Sequence, residues 1–279
     1  MENTERHESN RFAWNEAAAR YAQEIETDIA FLRGGGANFC PPELPFLAGL
    51  GEWCGRAIHL QCAGGRDTLS LWNLGAREVV GVDISDEMLA CARAKSDALG
   101  APARWIRSDV LDAPHELDGT ADLVYTGRGA LLWMMDLPAW ARVVARLLKP
   151  GGRLYVFEGH PLAWVWDAAA DHFRLDPVYG NYFDERICAG SDWPETYIPA
   201  HCAPVGGYAT KYERQHTLGS ILNALVAAEL RLLRLEEHPD RYWKALPNVP
   251  DAELDRLPHT FSLLMERPRV MMPASPSVP

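Results

Sequence analysis

A glycine-containing loop and two aspartates are the residues of this sequence best suited to binding chemistry. The loop, QCAGGRD at residues 61–67, follows a short apolar run and precedes a helical pattern. Glycine in such a loop lets backbone N–H groups approach a ligand closely, and the start of a helix favours negative charge. The loop has neither the G-x-G-x-x-G pattern of dinucleotide-binding folds nor the Gly-Lys-Ser/Thr of a phosphate-binding loop, so it supports neither type of ligand.

The two aspartates each follow an apolar run. Asp83 comes 18 residues after Gly65 and is placed to accept hydrogen bonds from both hydroxyls of a ribose. Asp109 could accept a hydrogen bond from an adenine amino group while Val110 flanks the ring. The alternatives are a helix-capping or surface acid for Asp83 and a turn residue for Asp109. A ribose and an adenine without a pyrophosphate loop indicate an adenosyl ligand that carries no phosphate.

These residues are positioned by predicted strands that alternate with predicted helices. The strands are expected at 57–62, 78–83, 103–108, 121–126, 153–158, 231–237 and 259–266, and helices at 67–74, 138–148 and 218–230. A further helix is expected between Ser85, its predicted N-cap, and Gly100, its predicted end. Such alternation builds a parallel sheet covered by helices, in which ligands bind at the carboxyl ends of the strands.

The N-terminal region and one internal segment depart from this alternation. Apolar residues from Trp14 to Leu32 recur at spacings of three and four, which predicts one helix. Residues 160–215 are rich in aromatic residues and turn formers, which indicates an insertion with a hairpin around 208–216. The predicted boundaries are 1–267 for a single domain, 10–56 for an N-terminal helical lid, 160–215 for the substrate-side insertion and 268–279 for a disordered tail.

Composition and charge narrow the class of protein. The chain has 27 Lys and Arg against 38 Asp and Glu, a net charge of −11, which disfavours binding to a nucleic-acid backbone. Residues 1–8 are polar, so no signal peptide is indicated, and no apolar stretch approaches the roughly 20 residues of a spanning helix. The six cysteines show no paired spacing. We therefore expect a cytoplasmic protein with reduced thiols, a small-molecule substrate and no nucleic-acid or membrane partner.

A series of short motifs in order along the chain resembles the class I S-adenosylmethionine-dependent methyltransferases. The match is to a bacterial small-molecule subgroup with an HLQC-type first motif, and it spans about residues 10 to 267. The motifs are HLQC with GRDTLSL at 59–71, GVDIS at 81–85, SDV at 108–110, ADLVYT at 121–126, LKPGG at 148–152 and FEGHP at 157–161. The widespread first motif has an acid followed by G-x-G-x-G, whereas here His59 stands in the acid's place and Gln61 and Ala63 replace the first two glycines.

The resemblance implies a fold, a cofactor and a set of contacts. The fold would be a Rossmann-like, seven-stranded, mainly parallel α/β sheet with a reversed last strand, and the cofactor S-adenosylmethionine, with S-adenosylhomocysteine as product. Gly65, Asp67 and Thr68 would lie along the methionine moiety, backbone around Thr126 would hold its amino group, and Tyr21 would close over the cofactor unless it only packs in the core. The full set of implied cofactor residues is Tyr21, Gln61, Cys62, Gly65, Asp67, Thr68, Asp83, Ile84, Asp109, Val110 and Thr126.

Methyl transfer from a sulfonium depends mainly on orientation, because the leaving group is already good. A base is needed only if the acceptor arrives protonated. His160 is the preferred general base, since imidazole titrates near neutral pH, and Glu158 is the second catalytic candidate. The alternatives are a structural hydrogen bond for His160 and a contact that holds loop backbone for Glu158.

The predicted acceptor site lies on the aromatic side of the molecule. Its candidate residues are Arg128, Trp133, Trp164, Tyr179 and Tyr182, which could wall an apolar or planar acceptor, although the aromatic residues could equally form a small core of the insertion. The histidines of the insertion lack His-x3-His spacing, so no metal site is predicted. A non-catalytic sensor of an adenosyl ligand and a nicotinamide oxidoreductase remain as alternative functions, and the acceptor and the oligomeric state stay open.

Overall fold

The computed structural model, which describes residues 1–195 and 197–269, contains a seven-stranded sheet flanked by helices. In chain order the strands are β1 (Arg56–Leu60), β2 (Glu78–Asp83), β3 (Ala103–Arg107), β4 (Ala121–Gly127), β5 (Leu148–Gly159), β6 (Ile187–Gly190), β7 (Lys211–Arg214), β8 (Arg231–His238) and β9 (Thr260–Glu266). The helices are α1 (Asn3–Gln23), α2 (Ile25–Arg33), α3 (Leu44–Leu47), α4 (Leu50–Trp53), α5 (Arg66–Asn73), α6 (Asp86–Leu99), α7 (Leu137–Leu147), α8 (Leu218–Ala227) and α9 (Asp251–Leu254).

The strand order of the main sheet is β3-β2-β1-β4-β5-β9-β8. Strands β1 to β5 are parallel, and β9 runs antiparallel to both of its neighbours, β5 and β8. This confirms the predicted α/β fold with a reversed last strand. From β1 the chain first adds strands on one side of the sheet, β2 and β3, and then on the other side, beginning with β4. Doubly wound sheets bind their ligands at this change of strand order.

The central strands are apolar because both of their faces are covered. Successive side chains of a strand point to opposite faces, so Val124 of β4 enters a core with Trp140 of α7, whereas Tyr125 enters a second core with Leu71 of α5. The sequence therefore shows near-continuous apolar runs rather than strict alternation.

The ends of α6 are as predicted from the sequence. The Ser85 hydroxyl accepts a hydrogen bond from the Met88 backbone N–H at 3.1 Å, and Gly100 ends the helix with a left-handed φ of 63°. Ser85 thereby closes the turn that follows Asp83, so the start of α6 fixes the position of that aspartate.

The N-terminal region forms two helices rather than the single one predicted, because the helix is interrupted at Glu24 between α1 and α2. On α2, the Asp28 carboxylate lies 2.7 Å from Lys95 Nζ of α6, and both side chains are almost fully buried. On α1, the Asn10 side chain donates to the Tyr212 carbonyl at 2.9 Å and accepts from its N–H at 2.6 Å. These contacts join the N-terminal helices to α6 on one side and to β7 on the other.

The insertion differs from its predicted form. Strand β7 lies within the predicted hairpin region 208–216 but pairs with β6, with Gly190 opposite Lys211. The prediction of a hairpin is therefore wrong, because β7 pairs with β6, an earlier strand that is distant in the sequence. Residues 270–279 of the predicted tail lie outside the described residues. Within residues 1–195 and 197–269, no helix is both long and apolar enough to cross a membrane.

Candidate functional site

A cavity of about 590 Å³ opens at the carboxyl ends of β1, β2 and β4. Loops after these strands, helices α1 and α2, the insertion and the connection between β8 and β9 all contribute to its lining. The predicted residues that line it are Tyr21, Gln61, Cys62, Gly65, Asp67, Asp83, Ile84, Asp109, Val110, Arg128, Trp133 and Trp164. The predicted residues outside its lining are Thr68, Thr126, Glu158, His160, Tyr179 and Tyr182.

The loop after β1 has a left-handed backbone at three alternate positions. The φ angles are 57° at Gln61, 44° at Ala63 and 76° at Gly65. This conformation costs a residue with a side chain about 1–2 kcal/mol, and such strain concentrates at functional sites. At Gly65 a Cβ atom would also lie 2.6 Å from the Cβ of Ala92. Gln61 and Ala63 thus adopt a conformation that favours glycine, at two positions where the widespread form of the motif has glycine.

Backbone amides hold the Asp83 carboxylate at the wall of the cavity. Its Oδ2 accepts from the Ala63 N–H at 2.8 Å, and its Oδ1 accepts from the Ser85 N–H at 2.8 Å. Burial raises the pKa of Asp83 to about 6, although these hydrogen bonds oppose the rise. Each carboxylate oxygen can accept a further hydrogen bond, so both are able to bind the hydroxyls of a ribose.

A histidine not singled out from the sequence orients Asp109. His7 Nδ1 lies 2.6 Å from Asp109 Oδ2, while His7 Nε2 accepts a hydrogen bond from the Met135 N–H at 3.3 Å. With Nε2 as the acceptor, the proton is on Nδ1 and is donated to Asp109. His7, Trp14 and Tyr21 recur every seven residues on α1 and line the same cavity. The helical pattern that starts at Trp14 reaches His7 when it is continued by two turns toward the N-terminus, and this would have indicated His7.

The hydroxyl groups of two predicted cofactor threonines make contacts inside the protein. The Thr68 hydroxyl is 2.8 Å from Nδ1 of the buried His59, and the Thr126 hydroxyl donates to the Leu60 carbonyl at 3.3 Å. Both threonines are fully buried. Burial also lowers the pKa of His59 to about 4, so the residue in the place of the family's usual acid is a neutral imidazole at physiological pH.

Arg128, predicted as an acceptor residue, lies in a network of buried charges. Its guanidinium is 2.9 Å from the Glu43 carboxylate and 3.5 Å from that of Asp67. Tyr125 donates a hydrogen bond of 2.7 Å to Glu43, which is fully buried. Burial alone would lower the pKa of Arg128, but these acidic neighbours raise it. The network orients Asp67 and fixes the loop after β4, where Arg128 itself has a φ of 61°.

Glu158 holds that same loop and does not reach the cavity. Its carboxylate accepts hydrogen bonds from the backbone N–H groups of Gly129, Ala130 and Leu131 at 2.6–2.9 Å. Burial raises the pKa of Glu158, and the loop amides oppose this rise. The structure therefore favours the alternative of a loop anchor over a catalytic role.

His160 is likewise directed away from the cavity. Its Nδ1 accepts from the Leu162 N–H at 3.1 Å, and its Nε2 lies 2.9 Å from a carboxylate oxygen of Glu237. Burial lowers the pKa of His160, and the nearby Glu237 opposes this shift. The structure does not support His160 as the general base, since both ring nitrogens face structural partners.

Tyr179 and Tyr182 are also displaced from the predicted acceptor wall. Tyr179 is 44% exposed on the surface of the insertion. The Tyr182 hydroxyl accepts a hydrogen bond from the Leu218 N–H at 3.2 Å, which ties the insertion to the start of α8. Their placement follows from how the insertion folds on itself, which its irregular sequence did not reveal.

The aromatic wall of the cavity comes from separate parts of the chain. The Trp14 ring lies 5.3 Å from Trp133 and 4.8 Å from Trp193, centroid to centroid. The Tyr21 hydroxyl is 2.6 Å from that of Tyr197. Burial strongly raises the pKa of Tyr21, so this hydroxyl stays protonated.

Other lining residues were missed because only the tertiary fold brings them to the site. The cavity residues that the sequence did not indicate include His7, Asn38, Trp193, Tyr197, Lys211, Glu213, Tyr242 and Trp243. Trp243 packs beside the predicted Trp164, with ring centroids 5.7 Å apart. Apart from the helical spacing of His7, no local pattern marks these positions.

Comparison with known proteins agrees with this geometry. A family model described as a methyltransferase domain matches residues 57–152. A solved S-adenosylmethionine-dependent methyltransferase from Mesorhizobium loti is 25% identical, covers 81% of this chain and 96% of its own, and superposes with a TM-score of 0.58. The matched domain model and the solved structure support a class I S-adenosylmethionine-dependent methyltransferase. Methyltransferases of this kind use S-adenosylmethionine as their cofactor, and Asp83 and Asp109 both line the cavity.

Curated methyltransferases match the chain over shorter segments. Demethylmenaquinone methyltransferase of Thermus thermophilus is 39% identical over 84 residues, which are 30% of this chain and 37% of that protein. Ubiquinone biosynthesis O-methyltransferase of Xanthomonas euvesicatoria is 32% identical over 117 residues, 42% of this chain and 48% of that protein. The matched segments therefore span less than half the length of these curated relatives. The structure of geranyl diphosphate C-methyltransferase from Streptomyces coelicolor shares the fold at 17% identity and a TM-score of 0.53, covering 81% of this chain and 78% of its own.

Proposed function

We propose that this protein transfers the methyl group of S-adenosylmethionine to a small-molecule acceptor. The observation that carries the proposal is the cavity itself, which joins two chemically different parts. At the strand ends it presents the carboxylates of Asp83 and Asp109, and it also includes the aromatic wall. A nucleoside suits the first part and a planar or apolar acceptor suits the second. Relatives named for quinone metabolism support an acceptor of small-molecule size.

The strand ends fit the adenosine portion of the cofactor. Asp83 would accept hydrogen bonds from both ribose hydroxyls, because its oxygens keep free acceptor capacity beside their backbone contacts. Asp109, held by His7, would accept from the adenine amino group, and the buried Val110 would pack against the ring. Charge-assisted hydrogen bonds of this kind contribute about 1.5–3 kcal/mol each.

Two buried polar atoms at the cavity fit the amino-acid end of the cofactor. Gln61 Oε1 and Arg128 Nε have no hydrogen-bond partner within residues 1–195 and 197–269. One is an acceptor and the other a donor, which matches an ammonium and a carboxylate group. A buried polar group without a partner is costly, so a zwitterionic ligand here would satisfy both.

When bound, S-adenosylmethionine supplies a methyl group attached to a sulfonium, a good leaving group. The contribution of the protein is orientation, which can be worth roughly 7–11 kcal/mol. Gln61 Nε2 donates to the Ala130 carbonyl at 2.6 Å, so the loop after β1 is tied to the loop after β4. Glu158 holds the second loop by its backbone amides. Together these contacts fix the cofactor side of the cavity relative to Trp133 on the acceptor side.

The test combines cofactor binding with turnover. Isothermal titration calorimetry with S-adenosylhomocysteine should show binding at a single site, and Asp97→Asn, an exposed acid on α6 outside the cavity, should bind equally well. A methyl-transfer screen with phenols, amines and carboxylates should then show turnover in at least one class. Binding without any turnover would favour the sensor alternative. Thermal stabilisation by NAD but not by S-adenosylhomocysteine would indicate a nicotinamide enzyme.

A further inference from the structure

A buried lysine lies inside the aromatic wall of the cavity. Lys211 is 8% exposed, and its Nζ is 5.1 Å from the ring centroid of Trp193 and 5.9 Å from that of Trp133. It is the first residue of β7, whose position is fixed by the paired hydrogen bonds between Asn10 and Tyr212. The aromatic wall therefore already holds a cation of the protein's own, which disfavours a cationic acceptor at the same place.

Lys211 is only partly neutralised by its neighbours. Its Nζ donates a hydrogen bond of 3.0 Å to Glu213, whose side chain is 38% exposed. An ammonium has three donors, so Lys211 can donate to a ligand as well. Several cavity carboxylates deeper in the site have partners of their own: Asp28 with Lys95, Asp67 with Arg128, and Asp109 with His7.

A second donor lies on the same wall. The indole Nε1 of Trp193 is buried and has no hydrogen-bond partner among the described residues. Trp193 packs against both Trp14 and Tyr197, with centroid distances of 4.8 and 5.9 Å, so its ring is held in place. An ammonium and an indole N–H on one apolar wall together complement an anionic oxygen attached to a flat ring.

The wall is continuous with the part of the cavity that suits the cofactor. A side-chain carbon built on Gly64 of the loop after β1 would lie 3.3 Å from Tyr21 Cδ1, and the Tyr21 ring is 6.4 Å from that of Trp14. Trp14 in turn contacts Trp193, the neighbour of Lys211. A ligand on the wall would therefore sit next to the cofactor loop rather than at a separate site.

We infer that the methyl acceptor is a planar aromatic compound that carries a carboxylate, with its ring against Trp14, Trp133 and Trp193 and its carboxylate accepting hydrogen bonds from Lys211. This inference rests on the proposed function and makes Lys211 a determinant of acceptor specificity. It assigns Lys211 to binding only, since methyl transfer itself requires the acceptor's nucleophilic atom and the sulfonium carbon.

The experiment measures how the charge of the ligand affects its binding when the shape of its ring is kept constant. With the protein saturated by S-adenosylhomocysteine, calorimetry compares hydroxybenzoate, hydroxybenzamide and hydroxybenzylamine, and then the corresponding hydroxynaphthalene series. The rings are matched, while the substituent is anionic, neutral or cationic. We expect the carboxylates to bind about ten- to a hundredfold more tightly than the amides, as for a charge-assisted hydrogen bond in a buried site, and the amines to bind weakest. Equal binding across a series, tightest binding of the amines, or no binding of any compound would overturn the inference.

Variants assign the preference to one side chain. Lys211→Met keeps the apolar stem and should abolish the preference for carboxylates, whereas Lys211→Arg should retain most of it. Lys149→Met removes a partly exposed charge that pairs with Asp122 outside the cavity, and it should leave the carboxylate preference unchanged. Unchanged affinity for S-adenosylhomocysteine shows that each variant is folded. A carboxylate preference that survives in Lys211→Met would overturn the role of Lys211. Failure of the wild type to bind S-adenosylhomocysteine would instead contradict the proposed function.

Discussion

The raised pKa of Asp83 makes a quantitative prediction about cofactor binding. A protonated carboxyl group cannot accept hydrogen bonds from two ribose hydroxyls at both oxygens while it also accepts from Ala63 and Ser85. Since burial raises the pKa of Asp83 to about 6, the competent ionised fraction falls below that pH. The apparent dissociation constant is the intrinsic one divided by the competent fraction. Affinity for S-adenosylhomocysteine should therefore be flat above pH 7 and about elevenfold weaker at pH 5 than at pH 8.

The raised pKa of Asp83 also makes the free energy of unfolding of the ligand-free protein depend on pH. The folded-state pKa of Asp83, about 6, is above its ordinary value of 3.8, so the folded state binds this proton more tightly than the unfolded state does. This group's contribution therefore destabilises the fold as pH rises from about 4 to 6, by up to about 3 kcal/mol. Bound cofactor should reduce that penalty, because its hydroxyls solvate the ionised carboxylate.

Calorimetry between pH 5 and 8 in matched ionic strength measures the effect. Asp83→Asn should bind about ten- to a hundredfold more weakly at pH 8 and should lose most of the pH dependence. The other ionisable groups of the cavity remain in that variant, so its residual slope measures their contribution. A wild-type affinity that does not change down to pH 5, or an equal slope in Asp83→Asn, would refute the assignment of Asp83 to the ribose.

Replacements of Lys95, Gly65 and His160 separate structural from binding roles. Lys95→Met should lower the free energy of unfolding in urea by about 3 kcal/mol, because the buried Asp28 loses its closest cation; a smaller loss than in an exposed-lysine variant would contradict this. Gly65→Ala should cost about 1–3 kcal/mol more than Gly100→Ala, since both have left-handed φ but a Cβ meets other atoms within 3 Å only at Gly65; equal losses of thermal stability would refute the reasoning. His160→Ala should keep cofactor affinity and turnover while losing about 1 kcal/mol of stability with its cap on Leu162; a large loss of turnover alone would restore its catalytic role.

Local patterns in the sequence predicted the strands and helices in their order and the two aspartates that we propose bind the cofactor. Strand runs, the Ser85 cap and the Gly100 stop are local signals, because each depends on backbone conformation and on residues within one or two turns. Asp83 and Asp109 follow strands of a parallel sheet, so their convergence at one edge is a consequence of topology. The structure places both on the cavity.

Long-range packing sets which polar residues face the cavity and which ones support its loops. Glu158 is near the end of β5 and His160 follows that strand, but contacts with the loop at 129–131 and with Glu237 direct them away from the cavity. The pairing of β7 with β6 and the position of Lys211 between two tryptophans join segments far apart in the chain. No pattern of neighbouring residues encodes such contacts, because they form only when several elements have already packed, and the aromatic wall of the cavity is built from them.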